Sequence, residues 1–253
     1  MNSEWTDISL SGTDAFSIDA EYRYKVSSQG DFWFYPKEVS ARSLVSNESY
    51  YGQIFYVSAD AKSSYQYNGN FLGTVVQIQK RVLPPWTDVS LTGTDPFDIT
   101  HEYRFKMTVP GRPGVPAGDF WYYAKQVGAQ SLVMDNGYGE ITFVSAANKT
   151  AYLSQGTPTG IIISQMQRRA LTWDDVPLNT TEAYDVSCNY RFKMNYPASP
   201  QWRPGVPAGD FWHYPERTSA QSHIANANGG YQTFSVFANN KAVFDFNGIN
   251  NGA

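Results

Sequence analysis

Phe97-Asp98-Ile99-Thr100-His101-Glu102-Tyr103-Arg104-Phe105-Lys106-Met107-Thr108 alternates a ring or apolar side chain with a polar one along its whole length. Successive strand residues point to opposite faces, so this spacing predicts a β-strand with one buried and one wet face. The pattern occurs three times. Phe16, Ile18, Ala20, Tyr22, Tyr24 and Val26 repeat it near the N-terminus, and Tyr184, Val186, Cys188, Tyr190, Phe192 and Met194 repeat it near the other end.

Each copy has the same flanks. Trp5-Thr6-Asp7, Trp86-Thr87-Asp88 and Trp173-Asp174-Asp175 precede the alternating stretch, at intervals of 81 and 87 residues. A Gly-Asp-Phe-Trp tetrad follows it, at Gly30–Trp33, Gly118–Trp121 and Gly209–Trp212. Such a period marks duplicated structural units. The expected units are residues 1–85, 86–172 and 173–253. Each has about 80 residues, near the lower limit for a single hydrophobic core.

Further β-branched and aromatic runs lie within each copy. In the second they cover Asp119–Lys125, Ile141–Ala146, Thr150–Ser154 and Ile161–Arg168, bounded by Gly, Asn, Pro and Ser as strands usually are. Val127–Met134 reads equally as a short strand or a helical turn. No long helical period is present. The predicted fold is all-β: three tandem antiparallel β-sandwiches, similar in size and strand number to an immunoglobulin domain. The first copy ends in Gln77-Ile78-Gln79 and the second in Gln165-Met166-Gln167, whereas no counterpart follows in the third. The third unit is therefore expected to lack its final strand, leaving an edge that a strand of another chain can fill.

The loops before the tetrads differ. The second and third copies carry the same ten residues, Arg112–Trp121 and Arg203–Trp212, with two prolines and two glycines that restrict the loop to few conformations. Loops on a rigid scaffold commonly carry binding function. Arg112, Pro113, Val115, Arg203, Pro204 and Val206, with the tetrad aromatics Trp33, Trp121 and Trp212, are the candidate contact residues.

Charge and motif content exclude several functions. The net charge of −4 offers no footprint for nucleic acid. No apolar run approaches the ~20 residues of a membrane-spanning helix, and the N-terminal residues resemble no secretion signal, so synthesis in the cytoplasm is expected. Cys188 is the single cysteine, which excludes an intrachain disulfide. It replaces Ala20 and His101 of the other copies and reads as a small buried thiol. His101, His213 and His223 each stand where the other copies have a different residue. No zinc spacing, nucleophile elbow or phosphate loop appears. Asp14 with Asp19, Asp95 with Asp98 and Glu182 with Asp185 lack a calcium-loop pattern. No catalytic residue, metal or cofactor is expected.

Asp31, Asp119 and Asp210 of the tetrads recur together with Arg23, Arg104 and Arg191, which predicts cross-strand Asp–Arg pairs. Repeated structural pairs, without a catalytic set, point to a non-enzymatic assembly protein acting through protein–protein contacts. A bacteriophage virion component (decoration, adaptor or tail accessory), released by lysis, fits the absence of an export signal. The alternative is a multivalent glycan-binding adhesion protein using the tetrad tryptophans as stacking platforms.

Overall fold

The computed structural model describes residues 4–27, 30–48, 53–62, 64–66, 71–109, 117–135, 141–153, 159, 162–196, 207–227, 232–241 and 243–244. All regular structure in them is β, arranged as three antiparallel sheets.

The first repeat supplies β1 (Thr6–Asp7), β2 (Ala20–Val26), β3 (Trp33–Phe34), β4 (Glu38–Val39), β5 (Ser43–Glu48), β6 (Gln53–Ser58), β7 (Ser64–Gln66), β8 (Phe71–Gly73) and β9 (Val75–Val82). The second gives β10 (Thr87–Val89), β11 (His101–Val109), β12 (Gly118–Tyr123), β13 (Gln126–Val127), β14 (Ser131–Asp135), β15 (Ile141–Ser145), β16 (Ala151–Leu153) and β17 (Ile163–Ala170). The third gives β18 (Phe192–Tyr196), β19 (Gly209–His213), β20 (Arg217–Thr218), β21 (Ser222–Ala227), β22 (Gln232–Phe237) and β23 (Val243–Phe244). The alternating stretches become β2, β11 and β18 only from Ala20, His101 and Phe192 onward. The earlier residues turn, with the Ser17, Asp98 and Asp185 N–H groups donating to the Tyr22, Tyr103 and Tyr190 hydroxyls. The ambiguous run from Val127 to Met134 resolves into two strands.

The strands do not pair as three self-contained sandwiches. Every sheet joins the front of one repeat to the back of its neighbour. The eight-stranded sheet runs β1-β9-β2-β3-β20-β21-β22-β23, the nine-stranded sheet β10-β17-β11-β12-β4-β5-β6-β7-β8, and the six-stranded sheet β16-β15-β14-β13-β19-β18. The three seams are equivalent in register: Trp121 faces Val39, Trp212 faces Val127 and Trp33 faces Thr218. The first repeat thus feeds the second, the second the third, and the third returns to the first.

The physical reason lies just after each tetrad tryptophan, at Tyr35-Pro36, Tyr123-Ala124 and Tyr214-Pro215. Here the chain leaves one sheet for the next. Each tyrosine N–H donates to a carbonyl of another repeat: Tyr35 to Glu216 (2.9 Å), Tyr123 to Lys37 (2.8 Å) and Tyr214 to Lys125 (2.9 Å). Proline has no N–H to continue a ladder, which favours the change of direction at two of the three seams. Duplicated modules satisfy the same period-two pattern whether they close on themselves or exchange strands.

Each of the two larger cores lies between strands of different sheets. One cluster packs Tyr103, Phe105, Phe120 and Met166 of the second repeat against Val45 and Tyr56 of the first. Another gathers Tyr24, Phe34 and Ile78 of the first repeat, with Tyr123 of the second against it. Apolar area removed from water drives this packing, and most of each cluster comes from a single repeat, whose two groups of strands face each other from different sheets.

Candidate interaction site

The tetrads set the local geometry. Gly30, Gly118 and Gly209 have φ of 68°, 150° and 137°, where a side chain is strained. Each following aspartate pairs with a lysine, not with the predicted arginine: Asp31 with Lys25, Asp119 with Lys106 (3.9 Å) and Asp210 with Lys193 (3.7 Å). The arginines are already engaged elsewhere.

Each of these arginines lies between two indoles. The Arg23 guanidinium carbon is 4.4 Å from the Trp5 ring centre and 4.2 Å from Trp33. Arg104 is 4.6 Å from Trp86 and 4.1 Å from Trp121. Arg191 is 4.4 Å from Trp173 and 4.1 Å from Trp212. The ring faces attract the cation, and the planar guanidinium suits the stack. The polar face of the alternating strand is therefore covered, not wet: Arg23, Arg104, Trp33 and Trp121 are all buried. Trp212 is half-buried.

The same arginines join the repeats. Arg104 Nη1 donates to the Ile18 carbonyl of the first repeat at 2.6 Å, Arg23 to Val186 of the third, and Arg191 to Ile99 of the second at 3.4 Å. Their Nε atoms reach the last strand of their own repeat. Arg23 Nε donates to Gln79 Oε1 at 2.8 Å, and Arg104 Nε to Gln167 Oε1 at 2.9 Å. Those glutamines pass the contact on, because Gln77 and Gln79 donate to Asp7 Oδ1 at 2.8 and 2.9 Å. Gln165 and Gln167 treat Asp88 identically, at 2.8 and 2.9 Å. The donated bonds hold the Asp7 and Asp88 carboxyls below their ordinary pKa.

Among the described residues the third repeat has no such layer. In the described residues β18 has β19 on one side and nothing on the other. Arg191 Nε and Asn189 Oδ1 are buried atoms without a hydrogen-bond partner. Asp175, at the position of Asp7 and Asp88, is exposed with no glutamine beside it. Val176 is 44% exposed, whereas Ile8 and Val89 at its position pack against a core. Phe192 and Met194 are half-buried, while their counterparts Tyr24, Val26, Phe105 and Met107 are buried. Cys188, expected as a buried thiol, is likewise half-exposed, 3.6 Å from Asp185 Oδ2.

A polar cluster lies where the repeats converge, in a pocket lined by Glu21, Glu102, Asn189, Tyr35, Tyr123 and Tyr214 among others. Arg81 grips Glu21 at 2.6 Å, and Arg169 contacts both Glu21 (3.0 Å) and Glu102 (2.6 Å). Burial raises the Glu21 pKa, but the two arginines outweigh it and hold it below the usual range. Burial prevails at Glu102, which is raised, although Arg169 opposes it. Lys125 is depressed by burial, against the pull of Glu216. Arg81 and Arg169 thus pair with Glu21 and Glu102, and the Arg169–Glu21 contact joins the second repeat to the first.

The sequence reading missed a threefold lysine staple. Lys62, Lys149 and Lys241 adopt φ of 47°, 52° and 50°. Lys149 Nζ donates to Ala146 O at 2.6 Å and Asp95 O at 3.1 Å, and Lys241 Nζ to Ala238 O at 2.7 Å and Glu182 O at 2.9 Å. Their recurrence four residues after Ser58, Ser145 and Phe237 was visible; nothing in a lone lysine announced its burial.

Of the predicted contact residues, Trp33, Trp121 and Trp212 fall in the Arg–indole stacks. Arg112, Pro113, Val115, Arg203, Pro204 and Val206 lie outside the described residues. The acidic pairs serve turns, with Asp98 accepting from Thr100 (2.9 Å) and Asp185 from Ser187 (2.8 Å). Among the described residues no group of three His, Cys, Asp or Glu side chains could hold a metal ion, and no helix is long and apolar enough to cross a membrane. The chain matches no protein-family model, no curated protein and no solved structure.

Proposed function

We propose that this chain is a non-enzymatic assembly protein that works through protein–protein contacts within a larger particle, a bacteriophage virion being the setting that fits best. The observation that carries the reading is the outer edge of β18, which no other described strand pairs, at a position that β9 and β17 occupy in the other two repeats. Exposed strand edges are surfaces on which other chains add. The buried ion pairs between repeats agree with a rigid building block, since they fix one arrangement of three modules.

Glycan binding by the tetrad indoles would need ring faces open to solvent. Trp33 is 4% exposed and Trp121 6%, each with a guanidinium on its face, so assembly is preferred. Velocity sedimentation of an extract from the native source, with the chain followed by mass spectrometry, tests the reading. Co-migration with a particle far larger than the 28.4 kDa chain is expected. Recovery solely as free chain would contradict it.

A further inference from the structure

The two complete repeats show what the open edge is shaped to hold. In both, the strand on the outer side of β2 or β11 runs antiparallel to it, with a fixed register. Gln79 stands opposite Arg23, Ile78 opposite Tyr24 and Gln77 opposite Lys25; Gln167, Met166 and Gln165 face Arg104, Phe105 and Lys106. Arg81 and Arg169 face Glu21 and Glu102. The far side of each strand is paired by β1 or β10. It is an inner strand, held on both edges.

The third repeat retains every wall of this slot. Trp173 is held by Arg191 at 4.4 Å and by the Tyr214 ring at 6.0 Å, as Trp86 is held by Arg104 at 4.6 Å and Tyr123 at 5.9 Å. Residues 174–176 are thereby anchored where β1 and β10 lie, yet form no strand. The unused groups match the missing side chains one by one. Arg191 Nε awaits the carbonyl of a glutamine, as Arg104 Nε takes Gln167. Asn189 Oδ1 stands where Glu102 accepts from Arg169 Nε at 2.9 Å. Asp175 stands where Asp88 accepts from two glutamine amides.

We infer that the slot between β18 and residues 173–176 receives a β-strand from another polypeptide, antiparallel to β18 and carrying Gln–apolar–Gln–basic–Arg. This deepens the assembly reading and rests on it. The backbone supports the geometry. The Tyr103 carbonyl accepts from Ala124 on the β12 side at 3.0 Å, so the alternating Arg104 and Lys106 groups face β17. By the same parity the N–H and C=O of Arg191 and Lys193 face the slot. Within this chain the pattern occurs only in β9 and β17, each already held between two neighbours, and residues 245–253 contain no glutamine. A strand from a different polypeptide is therefore the occupant favoured over any segment of residues 1–253, in this copy or a second.

The test titrates a synthetic peptide of residues 162–171 onto the full chain, followed calorimetrically. Saturable 1:1 binding is expected, weakened at least tenfold when both peptide glutamines are alanine. Lys193→Pro should abolish it, because proline removes an outward N–H while leaving the β18–β19 ladder intact. No binding, or equal binding of the double-alanine peptide, overturns the inference. A photo-crosslinker at position 193, used in the native setting, identifies the source. A cross-linked peptide of Gln–apolar–Gln type from another polypeptide supports the inference, while one from a second copy or from the same polypeptide overturns it. If the particle association persists with Lys193→Pro, the slot inference fails and the assembly reading stands. If the chain is never found in a particle while the peptide still binds, the reverse holds.

Discussion

Arg104 of the second repeat donates to the carbonyl of Ile18 in the first at 2.6 Å, while its guanidinium is stacked between Trp86 and Trp121. One side chain thus fastens its own sheet and the neighbouring repeat. Arg23 and Arg191 do the same at the other two junctions, which makes the ring of repeats a mutual construction.

Replacing Arg104 by methionine keeps the length but removes the stacked charge and its hydrogen bonds. Bonds to charged groups contribute about 1.5–3 kcal/mol each, and desolvated cation–π contacts up to about 2. A loss of about 3 kcal/mol is expected, lowering Tm by roughly 6–12 °C for a chain of this size. Arg191→Met should cost less, because Arg191 Nε has no partner to lose, although its stacks on Trp173 and Trp212 match those of Arg104. Calorimetric melting of both variants decides it. Equal losses would refute the difference between the repeats.

Every sheet is shared, so a repeat taken alone keeps most of its core residues but loses the strand pairing and backbone hydrogen bonds at its seams. Residues 1–85 expressed separately should lack stable tertiary structure by near-ultraviolet circular dichroism and amide dispersion. The whole chain should melt in one cooperative transition. A folded fragment would show that the strands can close within a repeat.

His223 occupies the place of Leu44 and Leu132, its ring centre 3.7 Å from that of Tyr184 and 4.3 Å from that of Tyr190, tilted by 40° and 35°. Burial, with the Lys241 charge as a smaller cause, pulls its pKa down to about 3. In the unfolded chain it titrates near 6.5. Between those values the unfolded state binds the extra proton, so stability falls as pH drops from about 6.5 towards 3. The loss at pH 4 is about 3 kcal/mol at 1.36 kcal/mol per unit. His223→Leu should remove this component. Urea titrations from pH 7 to 4 on both proteins would show parallel curves if the histidine were unimportant.

Gly128 stands where the other repeats have Ser40 and Ser219. A Cβ there would lie 2.6 Å from Cε1 of the buried Phe211 ring. Gly128→Ser, although it restores the residue of both siblings, should destabilise by about 1–3 kcal/mol through overpacking. An unchanged urea midpoint would mean that the ring moves aside without cost.

The strands were legible because period-two alternation is a local property; His101 to Met107 announces β11 without reference to any other residue, although the same alternation runs back to Phe97, where the chain turns instead. The absent third partner of Gln77-Ile78-Gln79 and Gln165-Met166-Gln167 was equally plain. Pairing between repeats was not, since Trp121 facing Val39 satisfies the same alternation as a pairing within the repeat. The Arg–indole stacks were misread as Asp–Arg pairs for a related reason. Spacing places Arg104 on the polar face, but says nothing of Trp86 folding back over it from eighteen residues away in sequence.

Amide hydrogen exchange at the strand edges tests the central claim most directly. The Arg104 and Lys106 amides face β17 and should be strongly protected, whereas those of Arg191 and Lys193 should exchange rapidly in the free chain and become protected once the peptide of residues 162–171 is added. Protection of Arg191 and Lys193 in the free chain, at the level of Arg104 and Lys106, would contradict it.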